Sequence, residues 1–240
     1  MDRPKVSVVM PVLNEEEFLE ETLRTLRAQT FKGFELLVVD NGSTDRSPEI
    51  AARYADRVVR EPVRGYDRAL HRGICEAQGE FIVQADADTL YPSDWLARMV
   101  KALEEEGVVC AYGPWAFRES PSFRQRLELF LNTLIQFLTH HLGFCQTTGL
   151  NMGFRRDAYF LVGGYPALGG LAAADIRLGL RLRRVGKVRF VPHMCVYTSN
   201  RAFRRRGALR HWLLMIRNFW DIVLRRDRLT LEDWYAWRHK

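Results

Sequence analysis

Cysteine is scarce in this 240-residue chain, and its placement suits neither a metal nor a disulfide framework. Cys75, Cys110, Cys145 and Cys195 lie far apart, with no C-x-x-C pair among them, which excludes a zinc knuckle. A reducing cytoplasm is the expected compartment. Long hydrophobic runs are also missing. The uncharged segment 129–154 is broken by Asn132, Gln136, His140, His141, Gln146 and Asn151, so no membrane span is expected. Near the start, Arg3 and Lys5 precede an apolar stretch, but it meets Asn14 and Glu15 too soon for a signal peptide. Acidic residues are in deficit: 29 Asp and Glu face 36 Lys and Arg, a formal net charge of +7. That excess favours anionic partners, either phosphates or acidic lipid surfaces. It is dispersed along the chain and no recognised nucleic-acid module accompanies it, so nucleic acid is not an expected partner.

What is present is enough apolar residue, 47% of the chain, to bury a substantial core in one domain. Short β-branched runs predict strands over 6–12, 35–39, 57–60 and 80–84. Helical spacing predicts helices between them: Phe18, Leu19, Thr22, Leu23 and Leu26 behind a cap at Asn14, then 48–54 and 66–77. Such alternation implies an α/β fold with a mostly parallel central sheet and helices on both faces. Ligands of such sheets sit beyond the carboxyl ends of the strands, where polar clusters begin at Asn14, Asp40 and Asp86. Farther on, helices are expected over 93–106, 122–142 and 175–185, with strands over 108–112 and 188–191. The glycine-rich segment 149–170 reads as loop.

The sharpest local feature is Asp86-Ala87-Asp88 after the apolar run Phe81-Ile82-Val83. Two carboxylates on one turn suit a hard divalent cation that keeps positions free for phosphates. Taken alone, the same triplet also serves to end a strand or cap a helix.

It does not stand alone. Val6 through Glu15, Leu37 through Asp45 with its Asp-Asn-Gly-Ser turn, Gly65 through Ala69, Gly73 to Gly79, and Asp86-Ala87-Asp88 follow one another in an order that resembles the opening of family 2 glycosyltransferases. The resemblance implies the A-type glycosyltransferase fold, a nucleotide-diphosphate sugar donor lying across the strand ends, and Mg²⁺ or Mn²⁺ bridging its diphosphate. In that scheme Asp40 accepts hydrogen bonds from the base, uracil being expected, while Pro11, Asn14 and Glu15 wall the base and ribose. Arg64 and Arg68, flanking Gly65, neutralise diphosphate charge. Asp86 contacts the ribose or metal-bound water beside Ala87, and Asp88 binds the metal directly.

A second element continues the resemblance: Gly149 to Asn151, Arg155-Arg156, Gly163-Gly164-Tyr165, Ala174-Asp175, then Arg181 to Gly186. The family usually has Glu-Asp where this chain has Ala174-Asp175. Asp175 is implied as the general base that takes a proton from the acceptor hydroxyl, with inversion at the anomeric carbon. As a plain alternative, Asp175 and Asn14 would only cap helices. His193 is a candidate late metal ligand, with a structural role as the alternative.

The expected organisation is a catalytic domain over 1–200, split near 110 into a nucleotide-binding half and an acceptor half, and a basic amphipathic tail over 201–240. Leu209, Trp212, Leu213, Ile216, Phe219, Trp220 and Val223 form an apolar stripe among arginines there, suited to packing on the domain or lying on an anionic membrane, on its inner face. Phe123, Leu127, Phe130, Leu131, Leu134, Phe137 and Leu138 form another, and together the two suit a lipid-linked acceptor; a glycan acceptor stays open. The Q-x-x-R-W signature of processive synthases is absent, which favours transfer of a single sugar. Residues 201–206 are a candidate lid over the diphosphate. Two other functions compete: a non-catalytic nucleotide-sugar-binding protein, suggested by Ala174, and a sugar-phosphate nucleotidyltransferase, which would carry a glycine-rich loop where Pro11 to Glu15 stand.

Overall fold

The structure of the chain, a computed structural model, describes residues 3–165 and 174–201. Of the expected tail over 201–240, residues 202–240 lie outside them, as do residues 166–173, which include the end of the glycine-rich segment.

The first half alternates as the periodicity predicts: β1 (Val6–Val12), α1 (Leu19–Arg27), β2 (Phe34–Asp40), α2 (Ser47–Tyr54), β3 (Arg57–Arg60), α3 (Tyr66–Glu76) and β4 (Phe81–Gln84). A two-residue strand β5 (Thr89–Leu90) then leads to α4 (Trp95–Leu103), β6 (Val108–Tyr112), β7 (Trp115–Phe117) and the long α5 (Ser122–His141). The short 3-10 turn Gly149–Asn151 runs into β8 (Met152–Arg155) and α6 (Arg156–Leu161). The described chain closes with α7 (Ala174–Leu182), β9 (Lys187–Phe190) and β10 (Val196–Thr198).

Seven strands form the central sheet in the order β3-β2-β1-β4-β8-β6-β9. β1 pairs in parallel with β2 and β4, β2 with β3, and β6 with β9, whereas β8 runs antiparallel to both β4 and β6. Every residue of β1 is buried, as a strand covered on both faces requires. Val6, Val8, Met10 and Val12 pack with α1, α2 and α4 on one face, while Val9 packs with α3, α6 and α7 on the other. A three-stranded sheet, β5-β10-β7, stands beside the first.

Two sequence expectations need correction. Asn14 does not cap α1: the helix starts at Leu19, and Asn14 sits in the preceding loop at φ 56°. Its side-chain oxygen accepts from the Thr44 amide at 2.8 Å, a tertiary bond that outcompetes local capping. Part of the expected loop over 149–170 is the central strand β8 and helix α6. Glycine is poor in isolated strands, yet Gly153 is required here: a Cβ at that position would come within 2.9 Å of Met99 Sδ and 3.1 Å of Val83 Cγ2.

Candidate active site

The carboxyl ends of β1 and β4, the start of α3 and Arg201 enclose a cleft of about 410 Å³. Each wall follows from local chemistry. Beyond β1, the amides of Asn14, Glu15 and Glu16 donate to Ser43 Oγ (3.1 Å), Ser47 Oγ (2.8 Å) and Asp45 Oδ2 (3.0 Å). The loops after β1 and β2 are thereby stapled together, with Pro11, Val12, Leu13 and Glu15 lining the cleft.

Beyond β2, Asp40 is buried and its carboxylate accepts the Ser43 amide at 3.0 Å. Asn41, 3% exposed, spends its whole amide on the segment before α3: Nδ2 donates to the Glu61 and Val63 carbonyls, each at 2.9 Å, and Oδ1 accepts from Gly65 at 2.8 Å. Sequence reasoning passed over Asn41. An Asn after a strand reads as turn chemistry, and only the fold reveals that it holds Gly65 and Tyr66 against the cleft.

Beyond β4, Asp86, Ala87 and Asp88 form the floor. The Asp86 amide donates to the Tyr91 hydroxyl at 2.8 Å and the Ala87 carbonyl accepts from Thr22 Oγ1 at 2.9 Å, so the backbone of the triplet is held from both sides. The Asp86 carboxylate accepts from the Tyr66 hydroxyl at 2.9 Å. Asp88 meets Thr198 Oγ1 at 3.4 Å and Arg201 Nε at 3.2 Å. Arg201 also grips both oxygens of Glu15, and its guanidinium lies 5.0 Å from the Phe18 ring centre.

Three carboxylates thus converge where water is scarce. Burial, then repulsion from Asp88, pushes the Asp86 carboxyl up to about 7, against the pull of the Tyr66 donor. Burial also raises Glu15 and Asp88, opposed in both by Arg201. Such a site favours added positive charge. Arg201 supplies one cation to Glu15 and Asp88, and the Asp86–Asp88 pair fits a hard divalent ion that takes one or two protein carboxylates and completes its shell with phosphate and water. Among the described residues no three His, Cys, Asp or Glu side chains are grouped so as to hold a metal ion. His193 is exposed; its carbonyl accepts from Arg98 at 3.0 Å, and it does not line the cleft.

Asp175 lies at the start of α7 and joins this floor through Gly149. Its Oδ2 accepts the Gly149 amide at 3.0 Å and its Oδ1 the Tyr165 hydroxyl at 2.8 Å. A Cβ on Gly149 would stand 2.5 Å from the Tyr66 hydroxyl and 3.1 Å from Asp175 Oδ2, so Tyr66, Gly149 and Asp175 are immediate neighbours. Burial raises the Asp175 carboxyl to about 6, moderated by the Tyr165 and Gly149 donors. That is a carboxylate poised to accept a proton near neutral pH.

Of the residues singled out in the sequence, Pro11, Glu15, Gly65, Asp86, Ala87 and Asp88 line one cleft. Asn14 lies outside it, and Arg64 and Arg68 are exposed on either side of Gly65. Asp40 does not line the cleft; it holds the turn beyond β2 by accepting the Ser43 amide. Asn151 is a correction: it is fully buried, with Nδ2 donating to the Pro114 and Met194 carbonyls and Oδ1 accepting from the Trp95 indole at 2.8 Å. Its amide is consumed by the protein and holds β8, the segment after β6 and the approach to β10 together.

The family model for glycosyl transferase family 2 matches residues 7–160. Among curated relatives, undecaprenyl-phosphate 4-deoxy-4-formamido-L-arabinose transferase of Photorhabdus laumondii is 33% identical over 159 residues, covering 62% of this chain and 46% of that protein. Glycosyltransferase AglE of Haloferax volcanii is 28% identical over 173 residues, covering 68% and 56%. The chain spans between 35% and 56% of the length of such relatives. Among solved structures, the mannosyltransferase PcManGT of Pyrobaculum calidifontis, in complex with GDP-Man and Mn²⁺, superposes with TM-score 0.65 at 24% identity, covering 90% of this chain and 65% of that one. Glucosyl-3-phosphoglycerate synthase of Mycobacterium tuberculosis, with Mn²⁺, UDP-glucose and phosphoglyceric acid, gives 0.62 at 23%, covering 87% and 76%. The fold is the A-type glycosyltransferase fold, and the chain belongs to glycosyl transferase family 2.

Proposed function

We propose that this chain is an inverting glycosyltransferase that moves one sugar from a nucleotide-diphosphate donor, a UDP-sugar, to a hydroxyl of a lipid-linked or glycan acceptor. The observation that carries the proposal is the convergence of Asp86 and Asp88 at the end of β4 with Asp175 across Gly149. In this scheme the base and ribose lie along Pro11, Glu15 and the turn of Asp40, with Asn14 holding the loop behind them through Thr44. Gly65, with Arg64 and Arg68, faces the diphosphate, while Gly149 lets the sugar approach Asp175. Asp88, with Asp86, holds Mg²⁺ or Mn²⁺; when bound, such an ion neutralises charge on the departing diphosphate.

Asp175 takes the proton of the acceptor hydroxyl. The acceptor oxygen forms a bond to the anomeric carbon from the side opposite the diphosphate, and the carbon–oxygen bond to the diphosphate breaks with its electron pair going to the leaving oxygen. Tyr165 and Gly149 hold the two oxygens of Asp175 in place for this step. The UDP- and GDP-sugars and Mn²⁺ bound by the solved neighbours support the donor class and the ion. The undecaprenyl-phosphate acceptor in the name of one relative supports a lipid-linked acceptor, reached from the cytoplasmic face with the tail over 201–240 as an anchor.

The test is release of nucleoside diphosphate from a panel of UDP-, GDP- and dTDP-sugars with Mn²⁺ or Mg²⁺, with and without chelator. Metal-dependent release that collapses in Asp88→Ala and falls by about 10² or more in Asp175→Asn agrees with the scheme. Calorimetric binding of a donor with no release, even with lipid and glycan acceptors present, would instead support a non-catalytic binding protein, the reading that Ala174 motivates.

A further inference from the structure

Helix α5 is built inside out. At about 100° per residue, Phe123, Leu127, Phe130, Leu131, Leu134 and Leu138 fall within one arc of its surface, and each is between 41% and 81% exposed. The opposite side meets the protein through polar groups. Gln125 donates to the Phe117 carbonyl at 2.8 Å, Asn132 accepts the Trp115 amide at 3.1 Å, and Gln136 is the buried residue of the helix. Toward its end, His140 Nδ1 meets the Tyr112 hydroxyl at 3.1 Å. A surface helix normally turns its apolar stripe to the core; this one turns it outward, over a length that 20 residues make about 30 Å. The helix is nevertheless too polar to cross a membrane: among the described residues no helix is long and apolar enough to do so.

We infer that the outer face of α5 is a docking surface for an anionic lipid bilayer, lying in the headgroup layer with its axis along the membrane. Charge decides the occupant. Arg124 and Arg126 border the apolar arc on its two sides. On the helix itself the one acid is Glu128, already paired to Arg124 and Ser120. Arginines at the border of an apolar stripe reach phosphate headgroups while their stems stay in the interface. A second copy of this chain would bring the same positive border against it. The segment after Arg201, itself rich in arginine, would do the same. An anionic lipid surface attracts the arginines that border the arc and satisfies the apolar face. The inference deepens the lipid-acceptor reading proposed above, and it fails separately from it.

The test is co-sedimentation of the full chain with vesicles of phosphatidylcholine alone or with 30% phosphatidylglycerol, at low and high salt, beside donor hydrolysis without vesicles. Leu131→Glu/Leu134→Glu/Leu138→Glu alters exposed positions only, so hydrolysis and thermal unfolding report an intact fold. The expected result is salt-sensitive binding to the anionic vesicles that falls at least about tenfold in the triple variant, and several-fold in Arg124→Gln/Arg126→Gln, with hydrolysis retained. Unchanged vesicle binding in the triple variant would overturn the inference and assign binding to the tail. Absent vesicle binding, with wild-type self-association that the triple variant abolishes, would overturn it in favour of an interface between copies.

Discussion

Removing one hydroxyl, in Tyr165→Phe, should move the pH dependence of sugar transfer without removing the base. Asp175 sits where burial raises its carboxyl to about 6, and two donors hold it from rising further: the Tyr165 hydroxyl at 2.8 Å and the Gly149 amide at 3.0 Å. Both favour the ionised form. A hydrogen bond to a charged group is worth about 1.5–3 kcal/mol, and one pH unit corresponds to about 1.4 kcal/mol, so losing the hydroxyl should raise the carboxyl by about one to two pH units. A general base works when deprotonated. The acid limb of the turnover profile should therefore lie near 6 in the native protein and shift upward by about one to two units in the variant, with the alkaline plateau retained. The assay is nucleoside diphosphate release at saturating donor and metal, in half-unit steps from pH 5 to 9. The same hydroxyl accepts from Gln84, so the buried Gln84 amide loses a partner and unfolding should become easier by about 1–3 kcal/mol. Calorimetry separates that loss from the kinetic shift. An acid limb that stays in place in Tyr165→Phe, while Asp175→Asn is inactive, would refute the idea that Tyr165 tunes the base.

Gly149→Ala should lose at least about tenfold in turnover and about 1–3 kcal/mol of stability, because its Cβ would meet the Tyr66 hydroxyl at 2.5 Å; kinetics and thermal melts check this, and a wild-type profile would contradict the close approach. Arg201→Gln removes the cation that grips Glu15 and Asp88, so donor-free Mn²⁺ binding followed by electron paramagnetic resonance should tighten by about tenfold, and unchanged or weaker binding would show that Arg201 does not compete with the ion. Asp86 and Asp175 both have folded-state carboxyls raised above their ordinary range, to about 7 and about 6. Their protonated forms stabilise the fold below about pH 4, and that contribution is lost as pH rises through 6 and 7. Melting temperature without divalent ions should fall across that window, and Asp86→Asn should flatten the part nearest 7.

The sequence by itself determined the α/β alternation and the half of the site that follows it. β-branched runs ending in polar clusters are strands, and the ordered pieces from Val6 to Asp88 were enough to identify the family and to single out Pro11, Glu15, Gly65, Asp86 and Asp88, which line one cleft. These features are local in period or directly follow a strand. What only the tertiary structure decided depends on partners distant in the chain. Asn14 gave up a helix cap for Thr44, and Asn151, expected beside the nucleotide, is locked among Trp95, Pro114 and Met194. Gly153 sits in a central strand because Met99 and Val83 press against it, a packing demand invisible in a stretch whose glycines read as loop. Arg201 reaches Glu15 and Asp88 from the far end of the described chain. The apolar stripe of α5 was plain in the sequence, since helical spacing marks a stripe. Which way the stripe faces is set by what the other side of the helix bonds to, and there Gln125, Asn132 and His140 meet the protein and leave the leucines outside.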